Sequence, residues 1–162
     1  MALQYKASEH YDAAPQIFPE IKGDKLSSLE CRTFRKFITL YSTGMHIVDL
    51  GCGTGRVSRY LSYILQPSLC IALESSIKEL ILTRELGSGA AKNFHIRGDV
   101  LHLPLKRIKY CVCHGVIHHT PDPDLAIKEI ASAIVSGGFI YLTVYSKSRY
   151  SFLYAFLRYL EN

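Results

Sequence analysis

The sequence predicts a doubly wound α/β fold with a mostly parallel sheet and helices on both faces. Two observations carry that expectation. Short β-branched apolar runs alternate along the chain with stretches of helical period, the pattern of βαβ units. The length of 162 residues suits one domain with its own core, and hydrophobic residues make up 48% of it, a globular composition. Right-handed crossovers then place helices on both faces of the sheet.

Each element has a local reason. Residues 1–23 hold Tyr5, Tyr11, Pro15 and Pro19 without a sustained period and read as an N-terminal arm. The main domain is expected over 24–146. Ser27 and Glu30 form a capping-box pair, followed by Leu29, Phe34, Phe37, Ile38 and Tyr41 at helical spacing, with Gly44 as the stop. Strand one, Ile47–Leu50, is a buried parallel strand by its continuous apolar run. A helix follows from Thr54 to Leu65 and breaks at Pro67, with Val57, Leu61, Ile64 and Leu65 on one face. Strand two, Leu69–Leu73, ends at Glu74. Ser76 and Glu79 then cap a helix carrying Ile77, Leu80, Ile81 and Thr83–Leu86, closed by Gly87.

Strand three is Asn93–Arg97 and strand four is Tyr110–His114. Asp122-Pro123 starts a helix, since proline is well placed at the first helical position. Its apolar face is expected at Ile127, Ile130, Ala131 and Ile134, and Gly137-Gly138 should close it. Strand five, Phe139–Val144, is β-branched and aromatic. In residues 147–162 a helical reading puts Tyr150, Leu153, Tyr154, Leu157 and Leu160 on one stripe, too apolar for a solvated helix. Self-association through that helix or through the edge of strand five is therefore expected.

Composition narrows the function classes. The start of the chain has no apolar leader segment, and no uncharged run is long enough to span a membrane. The net charge of +5 is spread rather than clustered, so a nucleic-acid partner is permitted without being indicated. Five cysteines have no disulfide spacing, and a reducing, cytoplasmic setting fits them. Cys111, Cys113 and His114 suggest zinc, but alternation along a strand leaves only two sulfurs on one face, and no metal is expected.

The chemistry centres on Gly51, Gly53 and Gly55 between strand one and its helix. Strand, glycine turn and helix N-terminus let backbone approach a ligand closely. The dinucleotide fingerprint needs a glycine where Arg56 stands, and the Lys-Ser/Thr of a P-loop is absent. Glu74 lies where doubly wound folds place the carboxylate that accepts ribose hydroxyls. Otherwise it is an ordinary acid at a helix start. Asp99 can equally be a turn-former bonded to nearby backbone.

The stretch Val48-Asp49-Leu50-Gly51-Cys52-Gly53-Thr54-Gly55 closely resembles the first motif of the class I S-adenosylmethionine-dependent methyltransferases. Gly115-Val116-Ile117-His118-His119-Thr120-Pro121-Asp122-Pro123 is similar to a stretch in their small-domain subgroup, which includes the ubiquinone and menaquinone biosynthesis enzymes. The resemblance covers Asp24–Ser146 and implies a Rossmann-like sheet with S-adenosyl-L-methionine as cofactor. It implies that Asp49, Gly51, Cys52, Gly53 and Gly55 hold the methionine end and that Glu74 and Ser75 take the ribose. Asp99 and Val100 would read the adenine, and the His114 backbone would line the sulfonium side. The family's usual Phe-Asp at the start of strand four is Ile108-Lys109 here, and the antiparallel hairpin after strand five is missing.

The implied activity is methyl transfer to a small-molecule acceptor. A tRNA base or a protein side chain is the second reading, and a cofactor-binding relative without turnover the third. His118 and His119 sit where an acceptor should arrive, and imidazole titrates near neutrality. Either is a candidate base, or the two shape the pocket floor and cap the next helix.

Overall fold

The computed structural model describes residues 36–41, 44–87 and 92–144. The expected N-terminal arm, the Ser27–Glu30 cap and the apolar helix over 147–162 lie outside them. Five strands, β1 (His46–Leu50), β2 (Leu69–Glu74), β3 (Asn93–Arg97), β4 (Ile108–His114) and β5 (Ile134–Thr143), form one sheet in the order β3-β2-β1-β4-β5. Every pairing is parallel. Helices α1 (Arg56–Leu65), α2 (Ile77–Leu86) and α3 (Pro123–Ala133) connect them, with short 3-10 turns at Val100–His102 and Ile117–His119.

The pleat sorts the side chains into two layers, because successive residues of a strand point to opposite faces. Ile47, Cys70, Tyr110, Val112 and Tyr141 meet Val57, Leu61 and Leu65 of α1, and Phe37 from helical residues 36–40. On the other face Val48, Leu50, Leu73, Cys111 and Cys113 pack against Ala126, Ile130 and Ala133 of α3 and against Val100 and Leu103. Fully buried side chains such as Leu50, Leu61 and Ile130 each contribute about 2–3 kcal/mol of burial free energy. The Tyr41 ring packs at a tilt against Tyr110, centroids 4.8 Å apart, and its hydroxyl donates to the Met45 carbonyl, tying the segment before β1 to the sheet.

Cys52, Cys70, Cys111 and Cys113 are buried free thiols. Burial pushes Cys70 and Cys113 up to about 12, so they serve as small apolar residues. Among the described residues, no helix is long and apolar enough to cross a membrane.

The structure corrects the sequence reading at three places. The helix after Asp122 ends at Ala133 rather than at Gly137-Gly138, and β5 begins at Ile134 rather than at Phe139. Ile134 turns to extended geometry (φ −80°, ψ 134°) and pairs with Ile108, which opens β4 two residues earlier than expected. Between the pairs Ile108–Ile134 and Tyr110–Phe139 the register breaks, and the surplus of β5 bulges at Gly137. The Lys109 ammonium donates to the Gly137 carbonyl at 2.5 Å and holds the bulge.

The second correction is the buried face of α3, which is Ala126, Ile130 and Ala133; Ile127 is exposed. The third is α2. Its aliphatic residues Ile77, Ile81 and Leu86 face outward, while Glu79, Leu80 and Thr83 are buried. The reason lies beneath it: α2 packs over the glycine turn, whose backbone polar groups need polar partners. On α1, likewise, Ile64 is outside the buried stripe and Ser58 and Ser62 are inside it.

Candidate functional site

The order β3-β2-β1-β4-β5 reverses direction between β1 and β4, and in open parallel sheets ligands collect beyond the strand ends at such a point. The turn after β1 and the turn after β4 meet there. A side-chain carbon added at Gly51 would lie 2.5 Å from Val116, so only glycine admits that contact.

The glycine turn is fixed from several directions. Gly51, Gly53 and Gly55 all have positive φ, at 70°, 54° and 78°, which L side chains adopt only with strain. The Gly51 and Cys52 N–H groups donate to the Leu73 carbonyl at 2.7 and 3.1 Å. The Gly53 N–H donates to Glu74 Oε2 at 2.9 Å. The Thr83 hydroxyl donates to the Gly53 carbonyl at 2.6 Å. Arg59 reaches back from α1 to the Thr54 carbonyl at 2.7 Å.

Glu74 ends β2 and is buried beside this turn. Its Oε1 accepts from the Ser75 N–H (2.7 Å), the Ser75 hydroxyl (3.0 Å) and the Ser76 N–H (2.9 Å). Among the described residues its Oε2 accepts from Gly53 only, and a carboxylate oxygen has room for a further donor. Glu74 therefore supports the start of α2, the ordinary reading of an acid at that place, and one of its oxygens keeps an acceptor position. Ser76 caps α2 by accepting from the Glu79 N–H at 3.2 Å, as its sequence signature predicts.

Asp49 lies in the interior beneath the turn, 1% exposed, and its carboxylate accepts from the Ser58 hydroxyl at 2.5 Å. Burial is the main cause that pushes its pKa up to about 6, with the Glu74 charge adding to it and the Ser58 bond opposing it. Asp49 thus ties β1 to the first turns of α1. Asp99 is exposed, and its Oδ1 accepts from the Leu101 N–H at 2.9 Å, an Asx turn that opens the 3-10 segment. The Val100 side chain is buried in the core of that face.

On the far side His114 ends β4. Its ring lies nearly parallel to Tyr141, 6.1 Å away, and its Nδ1 pairs with the Thr143 hydroxyl at 3.0 Å. That hydroxyl also accepts from the Gly115 N–H at 2.9 Å. His118 and His119 follow on the 3-10 turn with rings 4.1 Å apart. Burial and then the neighbouring His119 hold the His118 imidazole below its ordinary pKa. Asp122, and neither histidine, caps α3, accepting from the Leu125 N–H at 2.9 Å.

The structure therefore brings Gly51, Cys52, Gly53, Gly55, Glu74 and Ser75 together, sets Asp49 beneath them, and leaves Asp99 on its own turn. Sequence reasoning missed Ser58, Thr83 and Thr143. The available signal was polar residues inside otherwise buried stripes: Ser58 between Val57 and Leu61, and Thr83 one turn after Glu79.

A match to a methyltransferase domain family spans residues 48–142. Over 110 residues the chain is 34% identical to the carboxy-S-adenosyl-L-methionine synthase of Dichelobacter nodosus, covering 64% of this chain and 46% of that protein. It is 30% identical over 162 residues to the tRNA U34 carboxymethyltransferase of Campylobacter curvus, covering 91% and 53%. The chain spans about half the length of these two curated relatives. Among solved structures, the complex between the Haloferax volcanii Trm112 methyltransferase activator and a methyltransferase superposes with a TM-score of 0.61 at 20% identity, over 84% of this chain and 59% of that one. That likeness is one of fold. The family match takes in more than half of the chain, and the chain belongs to the methyltransferase domain family, among the class I S-adenosylmethionine-dependent methyltransferases.

Proposed function

We propose that this chain binds S-adenosyl-L-methionine over the glycine turn and transfers its methyl group to a small-molecule acceptor. The observation that supports this best is Glu74, whose Oε2 holds the Gly53 N–H and keeps an acceptor position for a ribose hydroxyl. The turn also fits the group, since Gly51, Gly53 and Gly55 present backbone without side chains. On this reading Gly51, Cys52, Gly53 and Gly55 hold the methionine end, with Asp49 bracing the turn from beneath. Glu74 and Ser75 hold the ribose, Asp99 and Val100 the adenine, and the His114 backbone lines the sulfonium side. When bound, the sulfonium supplies an activated methyl carbon whose bond to sulfur breaks as the acceptor's lone pair arrives, the electron pair returning to sulfur.

The chain's contribution is alignment of donor and acceptor, an effect that reaches several kcal/mol. An acceptor that is protonated at the moment of attack loses that proton to a base. Of the two candidates, His118 has its pKa lowered by burial and then by His119, which favours the neutral ring a base needs. Replacing a histidine base should lower turnover by about a hundredfold while cofactor affinity stays nearly unchanged. Loss of affinity instead points to a pocket-shaping role.

A tRNA base is the second reading, favoured by the likeness to the Campylobacter curvus tRNA enzyme along 91% of this chain. Labelled S-adenosylmethionine, offered with a metabolite extract and separately with unmodified tRNA, distinguishes the two by where the label appears. Carboxy-S-adenosylmethionine belongs in the same assay. Tight NAD binding in calorimetry, with no binding of S-adenosylmethionine or its demethylated product, would sink the cofactor reading.

We place the protein in the cytoplasm on the strength of its buried free thiols. Self-association is proposed across β5, one of the two edge strands of the described sheet, where Ile140 and Leu142 are exposed, as is Val144 just after it. Light scattering at micromolar concentration tests it, and a stable monomer would refute it.

A further inference from the structure

We infer that Thr83, on α2 and outside every sequence motif, is a positioning residue that shapes the glycine turn for the amino-acid end of the cofactor; this rests on the reading that the turn holds that end. Thr83 is fully buried between α2 and the turn. Its hydroxyl has one proton and two carbonyls within reach, Gly53 at 2.6 Å and Glu79 at 2.9 Å. The second is the ordinary back-bond of a helical threonine. The shorter distance assigns the proton to Gly53.

The same side chain meets a second glycine. A carbon added at Gly55 would lie 2.5 Å from the Thr83 methyl, so that methyl fills the space that a larger residue 55 would need. The hydroxyl thus fixes Gly53 and the methyl backs Gly55. Valine keeps the shape without the hydroxyl, and serine keeps the hydroxyl without the methyl.

The Gly53 residue is then gripped on both sides, its N–H by Glu74 and its carbonyl by Thr83. Carbonyl and N–H of one trans peptide point in opposite directions. Holding the Gly53 carbonyl against α2 therefore fixes the plane of the peptide that leads into Thr54. Thr83 acts on the ligand only through that backbone, so its loss should fall mainly on the amino-acid end.

Two ligands separate this role from general support of the fold. S-adenosylhomocysteine has the amino-acid end; 5′-methylthioadenosine shares the nucleoside and sulfur but lacks it. In calorimetry on the full chain, Thr83→Val should weaken S-adenosylhomocysteine about fivefold to tenfold, the effect of one lost hydrogen bond. Methylthioadenosine affinity should stay within about twofold, and Thr83→Ser should keep most of the parent's affinity for both. Equal loss on both ligands, or no loss on either, overturns the inference. If Thr83→Val does not fold, Thr83→Ser against Thr83→Ala isolates the same hydroxyl, and equal S-adenosylhomocysteine affinity in that pair overturns it too. A parent chain that binds neither ligand overturns the cofactor reading and Thr83's role with it, an outcome distinct from a parent that binds and a variant that does not differ.

Discussion

The β1–β2 rim of the site and its β4–β5 rim are built on different terms. On the first, Gly53 is held from two elements, Gly55 is backed by a buried methyl, and Asp49 is braced by Ser58. On the second, His119 is exposed on a single 3-10 turn, and the positive-φ Gly115 has nothing within 4 Å of a notional side-chain carbon. The first rim is shaped by backbone and tolerates one geometry. The second is shaped by side chains with space around them. On the proposed reading the cofactor takes the first rim and the acceptor the second, which is why the acceptor is the harder half to read.

The largest expected effect breaks the first rim and spares the second. Gly55→Ala forces a φ of 78° on an L residue and drives its carbon into Thr83; strain of about 1–3 kcal/mol adds to overpacking of similar size. Gly115→Ala carries the same kind of strain at φ 72° but meets open space, so it should cost only that strain, about 1–3 kcal/mol, without the overpacking. Urea denaturation of both variants measures the gap. Equal losses would mean that the two rims are equally tolerant.

Next in size is Glu74→Ala. It removes the anchor of Gly53 and the proposed ribose acceptor together, and should weaken S-adenosylhomocysteine by roughly 1.5–3 kcal/mol in calorimetry. Glu74→Asp should cost less. Unchanged affinity in Glu74→Ala would remove Glu74 from the ribose site.

The last effect is a gain, and it sharpens the comparison beneath the turn. Asp49 has a folded-state pKa of about 6 against an ordinary 3.8, so the folded chain holds this proton more tightly than the unfolded one. The stability it contributes is fully present below about pH 3.8 and is lost as pH rises through about 6. Asp49→Asn keeps an acceptor for Ser58 and removes that loss. It should be more stable than the parent above pH 6 by up to about 3 kcal/mol, with the difference vanishing below pH 4. Denaturation across that pH range checks it, and a parallel pair of curves would show that Asp49 does not titrate there.

The parallel sheet was legible because β1, β2 and β4 are short, mostly apolar runs with a glycine or an acid at their ends. The start of β5 was not, because Ile134 is extended through pairing with Ile108 across the sheet, which no local pattern announces. The inward face of α2 was misread for a related reason: periodicity counts aliphatic residues, while the neighbour of α2 is a polar turn. In the site, the glycine spacing and Glu74 could be read because their register is local. Thr83 and Thr143 could not, since their partners lie 30 and 29 residues away.

The buried cysteines have a use beyond packing. Only a thiolate reacts quickly with a small electrophile such as iodoacetamide, and burial holds all four described thiols protonated. Alkylation therefore waits for the molecule to open. Cys52 sits in the glycine turn, whereas Cys111 and Cys113 lie in β4, between β1 and β5. Mass spectrometry of the alkylated peptides would time local opening of the turn separately from opening of the whole sheet. The chain carries a clock for its own opening, with one hand in the glycine turn and the other in the core.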